Sequence, residues 1–129
     1  MSDIPNQNNQ FEMQDKMRIV QELVPGRQIT IAHIIANPDP VLYQKLGLDP
    51  KLDYSHAAIG VLTISPAEPA VITADIAMKS SNVDLGFVDR FSGTLIITGR
   101  VSEVETAFGA IATYFQNVLH FSVCDVTKT

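Results

Sequence analysis

Residues 57–100 read AAIGVLTISPAEPAVITADIAMKSSNVDLGFVDRFSGTLIITGR, and this stretch decides the fold. Ala57 to Ile64 is a short run, apolar on both faces, that suits an internal strand. Ser65 and Glu68 have the spacing of a capping box, with Pro66 at the first helical position, so a helix is expected to open at Ser65. Pro69 sits awkwardly in that first turn because it lacks a donor. Val71, Ala74, Ala77 and Met78 recur at helical spacing and predict a small-residue face for packing on a sheet. Val83–Val88 and Thr94–Thr98 then read as strands joined by the loop Asp89, Arg90, Phe91, Ser92 and Gly93.

Working outward, Gly99 marks a turn, and Ser102 with Glu105 repeats the capping spacing. Val104, Phe108, Ile111, Phe115 and Val118 follow at steps of four and three, a strong amphipathic helix. Phe121–Thr127 reads as a last strand. On the other side, Gln28–Ala36 is a strand rich in β-branched residues. Asp39 caps a short helix with Pro40 at its first position, and Gly47 closes it. Leu48–His56 is a loop. Arg18–Val24 alternates loosely before the Pro25-Gly26 turn and reads as a short strand with neither face cleanly apolar. Met1–Lys16 is a polar tail rich in Asn and Gln, and residues 17–129 form one domain. The pattern predicts an α+β fold of ferredoxin-like type: a largely antiparallel sheet with helices on one face and an extra N-terminal strand. Strand order does not follow from it.

Composition narrows the function classes. Among 129 residues, 46% are hydrophobic and only 18% are charged. That charge content is low for a small monomer, and fits either burial of surface against other copies or an ordinary domain rich in Ala and Ile. A net charge of −5 with no Lys/Arg cluster argues against binding nucleic acid or an anionic membrane. Cys124 is the only cysteine, which excludes an intrachain disulfide and suits a reducing cytosol. The first residues have neither the basic start nor the apolar core of a signal peptide, and no apolar run is long enough to cross a bilayer.

Catalytic patterns are missing. His33, His56 and His120 are scattered, with no HxxxH or CxxC spacing for a metal. No nucleophile elbow and no phosphate-binding Gly-rich loop occurs. His33 lies within a strand and is expected to be structural; Cys124 reads as a small core residue. No cofactor is implied, and nothing calls for an enzyme.

Three long pieces carry a resemblance: VPGRQITIAHIIANP (Val24–Pro38), residues 57–99 of the stretch above, and the ending FSVCDVTKT. From about Met17 to Thr129 the chain resembles bacterial microcompartment shell proteins. It is most similar to the circularly permuted single-domain type of ethanolamine- and propanediol-utilisation compartments. In the unpermuted domain the strand like Gln28–Ala36 and its short helix come last; here they come first.

The resemblance implies a structural subunit without catalysis, in a shell within the bacterial cytoplasm. Cyclic homohexamers would tile together and with other shell proteins, and an encapsulated enzyme or peptide would be a further partner. Lys79 would lie at the hexamer edge and donate to carbonyls of the neighbour; from the residues alone it is a solvated lysine favoured by the helix dipole. Asp89, Arg90, Phe91, Ser92 and Gly93 would form the pore loop. The strand Ile19, Val20, Gln21, Glu22, Leu23 and Val24 would join a small β-barrel capping the pore, with either alternate set facing inward. The longer polar N-terminus and the loop Asp49–His56 depart from relatives, and the position of Asp39 leaves a flat or bent tile open. Ethanolamine, propanediol and choline utilisation all fit. A ligand-binding regulatory ferredoxin-like oligomer is the competing reading.

Overall fold

A computed structural model describes residues 26–129. The strand 18–24 and the tail 1–16 therefore lie outside the described residues. The element order is β1 (Gln28–Ile35), α1 (Pro40–Lys45), β2 (Ala58–Ser65), α2 (Ala70–Ser80), β3 (Asp84–Asp89), β4 (Thr94–Gly99), α3 (Val101–Asn117), β5 (Ser122–Val123) and β6 (Thr127–Lys128). The six-stranded sheet has the order β3-β4-β2-β1-β5, with β6 also pairing β1. The long ladders β1–β2, β2–β4 and β3–β4 are antiparallel, whereas β5 and β6 run parallel to β1. The single last strand expected over Phe121–Thr127 is thus two separate two-residue strands.

The main core lies between the sheet and the two longer helices. Ala58, Leu62 and Ile64 of β2 point into it, as do Leu95 and Ile97 of β4. Gly60 occupies the same face, and a Cβ there would lie 2.7 Å from Val104 and 2.8 Å from Phe108. The absence of a side chain on β2 is what lets α3 sit this close. Val104, Ala107, Phe108, Ile111 and Phe115 bury one stripe of α3, as its periodicity requires. Val118, expected on that stripe, is 53% exposed because it caps the helix after Asn117 and leaves the core.

Both expected capping boxes are absent. Ser65 is the last residue of β2, and α2 starts at Ala70 with Pro69 at its cap and no side-chain cap bond. Turn bonds Ala70 N to Ala67 O and Val71 N to Glu68 O fill the gap, so Pro66 lies in a turn and not in the helix. This later start changes the buried face to Ala70, Thr73, Ala74 and Ala77. Thr73 is tolerated there because its hydroxyl donates to the Ala70 carbonyl at 2.6 Å. Val71 and Met78, expected in the core, are about half exposed on the outer flank at 52% and 48%. For α3 the cap is Arg100, Ser102 lies inside the helix, and Glu103 instead accepts the Asn82 amide at 2.8 Å. Glu105 pairs with Lys128 at 2.9 Å.

Helix α1 follows its sequence signals. The Asp39 carboxylate accepts the Val41 amide at 3.0 Å, Pro40 leads the helix, and Gly47 follows it at φ +73°. The segment after α1 packs on the second face of the sheet, where Leu48 would meet a Cβ on Gly86. Leu48 and Ile59 are buried there, outside the main core cluster.

Candidate functional site

The features singled out from sequence fall at two opposite ends of the sheet. At one end is the loop Asp89–Gly93. The Asp89 carboxylate turns inward and accepts the Phe91 amide at 2.8 Å, while the Gly93 amide donates to the Asp89 carbonyl at 2.9 Å. Hydrogen bonds to the carboxylate, first from the Phe91 amide and then from Ser92, hold the Asp89 carboxyl below its ordinary pKa. Ser92 donates to the Thr94 hydroxyl at 3.0 Å. Gly93 has φ +75°, and its carbonyl accepts the Ile64 amide at 2.9 Å. The loop is therefore internally satisfied and tied to the end of β2. Its tip is apolar and cationic: Phe91 is 81% exposed, with the Arg90 guanidinium carbon 5.0 Å from its ring centre.

At the other end is Lys79. Helix α2 leaves the loop end beside Ala67, which a Cβ on Gly93 would approach within 3.2 Å, and runs to Ser80 just before β3 begins at Asp84. Lys79 sits in its last turn, largely exposed, and its Nζ pairs with Asp75 of the same helix at 2.9 Å. Since β3 is six residues long, Lys79 and the loop are separated by roughly 20 Å of strand. The structure does not bring them together. Residues Ile19, Val20, Gln21, Glu22, Leu23 and Val24 are outside the described residues.

Between these ends lies apolar surface with no cover from this chain's described residues. Val71, Ile72 and Met78 of α2 are exposed, and so are Leu85 and Phe87 of β3. Strand β3 is the edge of the sheet. An exposed edge that carries large apolar side chains is a surface for another chain.

Sequence reasoning missed one feature. Tyr43 and Tyr54 stack at 4.6 Å and form the wall of a cleft of about 930 Å³ beside α1. Tyr43 donates to the Ala57 carbonyl and Tyr54 to the Asp49 carbonyl, both bonds formed across the loop after α1. No periodicity links the two tyrosines; only loop closure does. His33, expected to be structural, has its Nδ1 2.6 Å from the Thr127 hydroxyl and its Nε2 2.9 Å from that of Thr129. This structural role is the one its strand position suggests. Cys124 packs half-buried against the core, and burial pushes its thiol pKa up.

Among the described residues, no three His, Cys, Asp or Glu side chains cluster so as to hold a metal ion. No helix among them is long and apolar enough to cross a membrane.

Comparison with known proteins gives a consistent result. The profile of the BMC domain matches residues 58–127. It starts on the first residue of β2 and leaves β1 and α1 outside. The bacterial microcompartment shell protein PduU of Salmonella typhimurium is 46% identical over 112 residues, which cover 87% of this chain and 93% of the relative. The shell protein EutS of Escherichia coli is 43% identical over 115 residues, covering 89% and 99%. A solved CutR flat hexamer has a TM-score of 0.74 at 46% identity, covering 84% of this chain and 96% of that one.

Proposed function

The chain belongs to the BMC-domain family of bacterial microcompartment shell proteins, and from that we propose that it is a structural tile: a cyclic hexamer with Asp89–Gly93 around a central pore and Lys79 on the outer rim. The observation that carries this reading is the placement of the Phe91 loop and Lys79 at opposite ends of one sheet. A ring needs one end of each subunit at the axis and the other at the perimeter. Head-to-tail contacts between the ends would bury the exposed flank of α2 and the edge strand β3.

Six loops at the axis would bring Phe91 side chains together, which accounts for an aromatic residue left 81% exposed at a loop tip. The strand 18–24 would cap the pore as a small barrel. A capped pore would not conduct there and would instead offer a docking point for an encapsulated enzyme or peptide.

The fold reading is a circularly permuted ferredoxin-like domain. Started at β2, the chain runs β2-α2-β3-β4-α3. Moving β1 from the front to follow α3 completes a β-α-β-β-α-β unit with the sheet order β3-β4-β2-β1. The start of the family match at residue 58 supports the same reading. The proposed role is non-catalytic, in a shell within the bacterial cytoplasm, alongside other shell proteins.

The test is assembly state. Light scattering behind size exclusion and negative-stain images are expected to give six-membered rings. In a Cys124→Ser background, Phe91→Cys is expected to cross-link neighbouring subunits under mild oxidation. A monomer at every concentration, or rings without cross-links at residue 91, goes against the tile or its pore placement respectively.

A further inference from the structure

We propose that the cleft walled by Tyr43 and Tyr54 binds a small organic monocation, a ring-bearing amine whose body lies on the tyrosine wall and whose ammonium head faces Asp84. The inference goes beyond the tile reading and does not depend on it. The cleft holds about 930 Å³, within the usual size of a site for a small organic molecule. Pro38, Pro40, Leu48 and Pro50 line it beside the two tyrosines, and no Lys or Arg does.

The tyrosine wall is built in advance. Both hydroxyls are spent on the backbone, Tyr43 on the Ala57 carbonyl at 2.7 Å and Tyr54 on the Asp49 carbonyl at 2.8 Å. The rings stack at 4.6 Å, so they offer a ligand π surface in place of hydroxyl donors. Fixing both rings before binding removes part of the ordering cost of recognition. His56 lines this cleft and the next. It holds φ +62°, a left-handed backbone uncommon in a residue with a side chain, and strain of this kind is kept at ligand-binding loops.

Charge sets the sign of the ligand. A smaller cleft of about 320 Å³ shares Tyr54, Ser55, His56 and Ala57 with the larger one. It carries Asp53, Asp84 and Glu103 against a single arginine, Arg100. Glu103 already accepts the Asn82 amide, and Asp53 the amide and hydroxyl of Ser55. Asp84 opens the edge strand β3, is exposed, and is paired with no described cation. The negative field reaches the aromatic wall: after burial, the charges of Asp49 and Asp84 raise the Tyr54 pKa. A cation against that ring meets both its π face and the carboxylates; a neutral ligand gains only the apolar contact, and an anion is repelled.

The experiment titrates the full chain with 4-phenylbutylammonium by calorimetry. Saturable binding is expected with a Kd of about 1 mM or lower. Neutral 4-phenylbutanol is expected to bind at least tenfold more weakly, and 4-phenylbutyrate not at all. The chain has no Trp and three Tyr, two of them in the wall, so a matching change in tyrosine emission places the ligand there. Asp84→Asn is expected to weaken the amine tenfold and to leave the alcohol unchanged, whereas Tyr54→Leu weakens both. Tyr54→Phe keeps the ring and is expected to keep binding, which covers the case of a Tyr54→Leu chain that does not fold. Equal affinity for amine and alcohol, no saturable binding, or an Asp84→Asn variant that takes the amine like wild type overturns the proposal. Binding that disappears as chains assemble makes the cleft a contact between copies and overturns it too. Wild-type protein that binds the amine but forms no rings supports this inference and goes against the tile reading alone.

Discussion

The Ile64 amide donates to the Gly93 carbonyl at 2.9 Å, which fastens the loop between β3 and β4 to the end of β2. Gly93 makes this bond at φ +75°, and a Cβ there would overlap the Ile64 carbonyl oxygen. Gly93→Ala therefore meets both a left-handed backbone and a backbone clash. A loss of about 2–4 kcal/mol is expected, read as a lower urea midpoint at unchanged slope. A midpoint equal to wild type would mean that the loop is not held against β2.

Close contact between α3 and β2 through Gly60 gives a second prediction. Gly60→Ala forces Val104 and Phe108 to move, since the new methyl would lie inside 3 Å of both. Overpacking of this kind costs about 1–3 kcal/mol. Phe108→Ala removes the same contact from the other side and leaves a cavity, with an expected loss of about 3–5 kcal/mol. If the contact is as described, Phe108→Ala combined with Gly60→Ala is less damaging than the sum of the two.

His33 holds the C-terminal strand through both ring nitrogens. A neutral imidazole donates from one nitrogen and accepts at the other, and each threonine hydroxyl can take the complementary part. His33→Ala removes both bonds at a cost of about 1–2 kcal/mol. Amide hydrogen exchange is the sharper readout. The Thr129 amide, bonded to the Ile34 carbonyl, and the Ala36 amide, bonded to the Thr129 carbonyl, are expected to exchange faster. Uniform acceleration across β2 and β4 would instead indicate global destabilisation.

Asp89 supplies a pH dependence whose sign is fixed by its hydrogen bonds. Its carboxyl is held below the ordinary value of 3.8, first by the Phe91 amide and then by Ser92. A depressed carboxyl pKa means that its contribution is present above the unfolded pKa and is lost as pH falls through the lower folded value. The Phe91 amide resonance is expected to titrate with a midpoint under 3.8 and to lose that transition in Asp89→Asn. A midpoint at or above that value would show the carboxylate turned away from the loop.

Much of the local structure was legible in the chain. The Asp39–Pro40–Gly47 signals define α1, the stripe from Val104 to Phe115 defines the buried face of α3, and the β-branched runs define β1 and β2. Each depends on contacts within a few residues, which a linear pattern records. The failures share a cause. Ser65 and Ser102 carry capping-box spacing, but β2 extends through Ser65, and β4 leads directly into α3 at Arg100. A strand ladder formed with distant partners overrode a local preference.

The sequence by itself determined the element types, the main core stripe of α3, the satisfied turn chemistry of α1 and the family resemblance. Tertiary structure alone decided the sheet order, the division of the last strand between β5 and β6, and the outward rotation of Val71 and Met78. It also decided the joining of Tyr43 to Tyr54 and the placement of Phe91 and Lys79 at opposite ends. The physical reason is that these depend on which strands pair and in what register. That choice is made by burial summed over residues far apart in the chain, and no short window of sequence contains it.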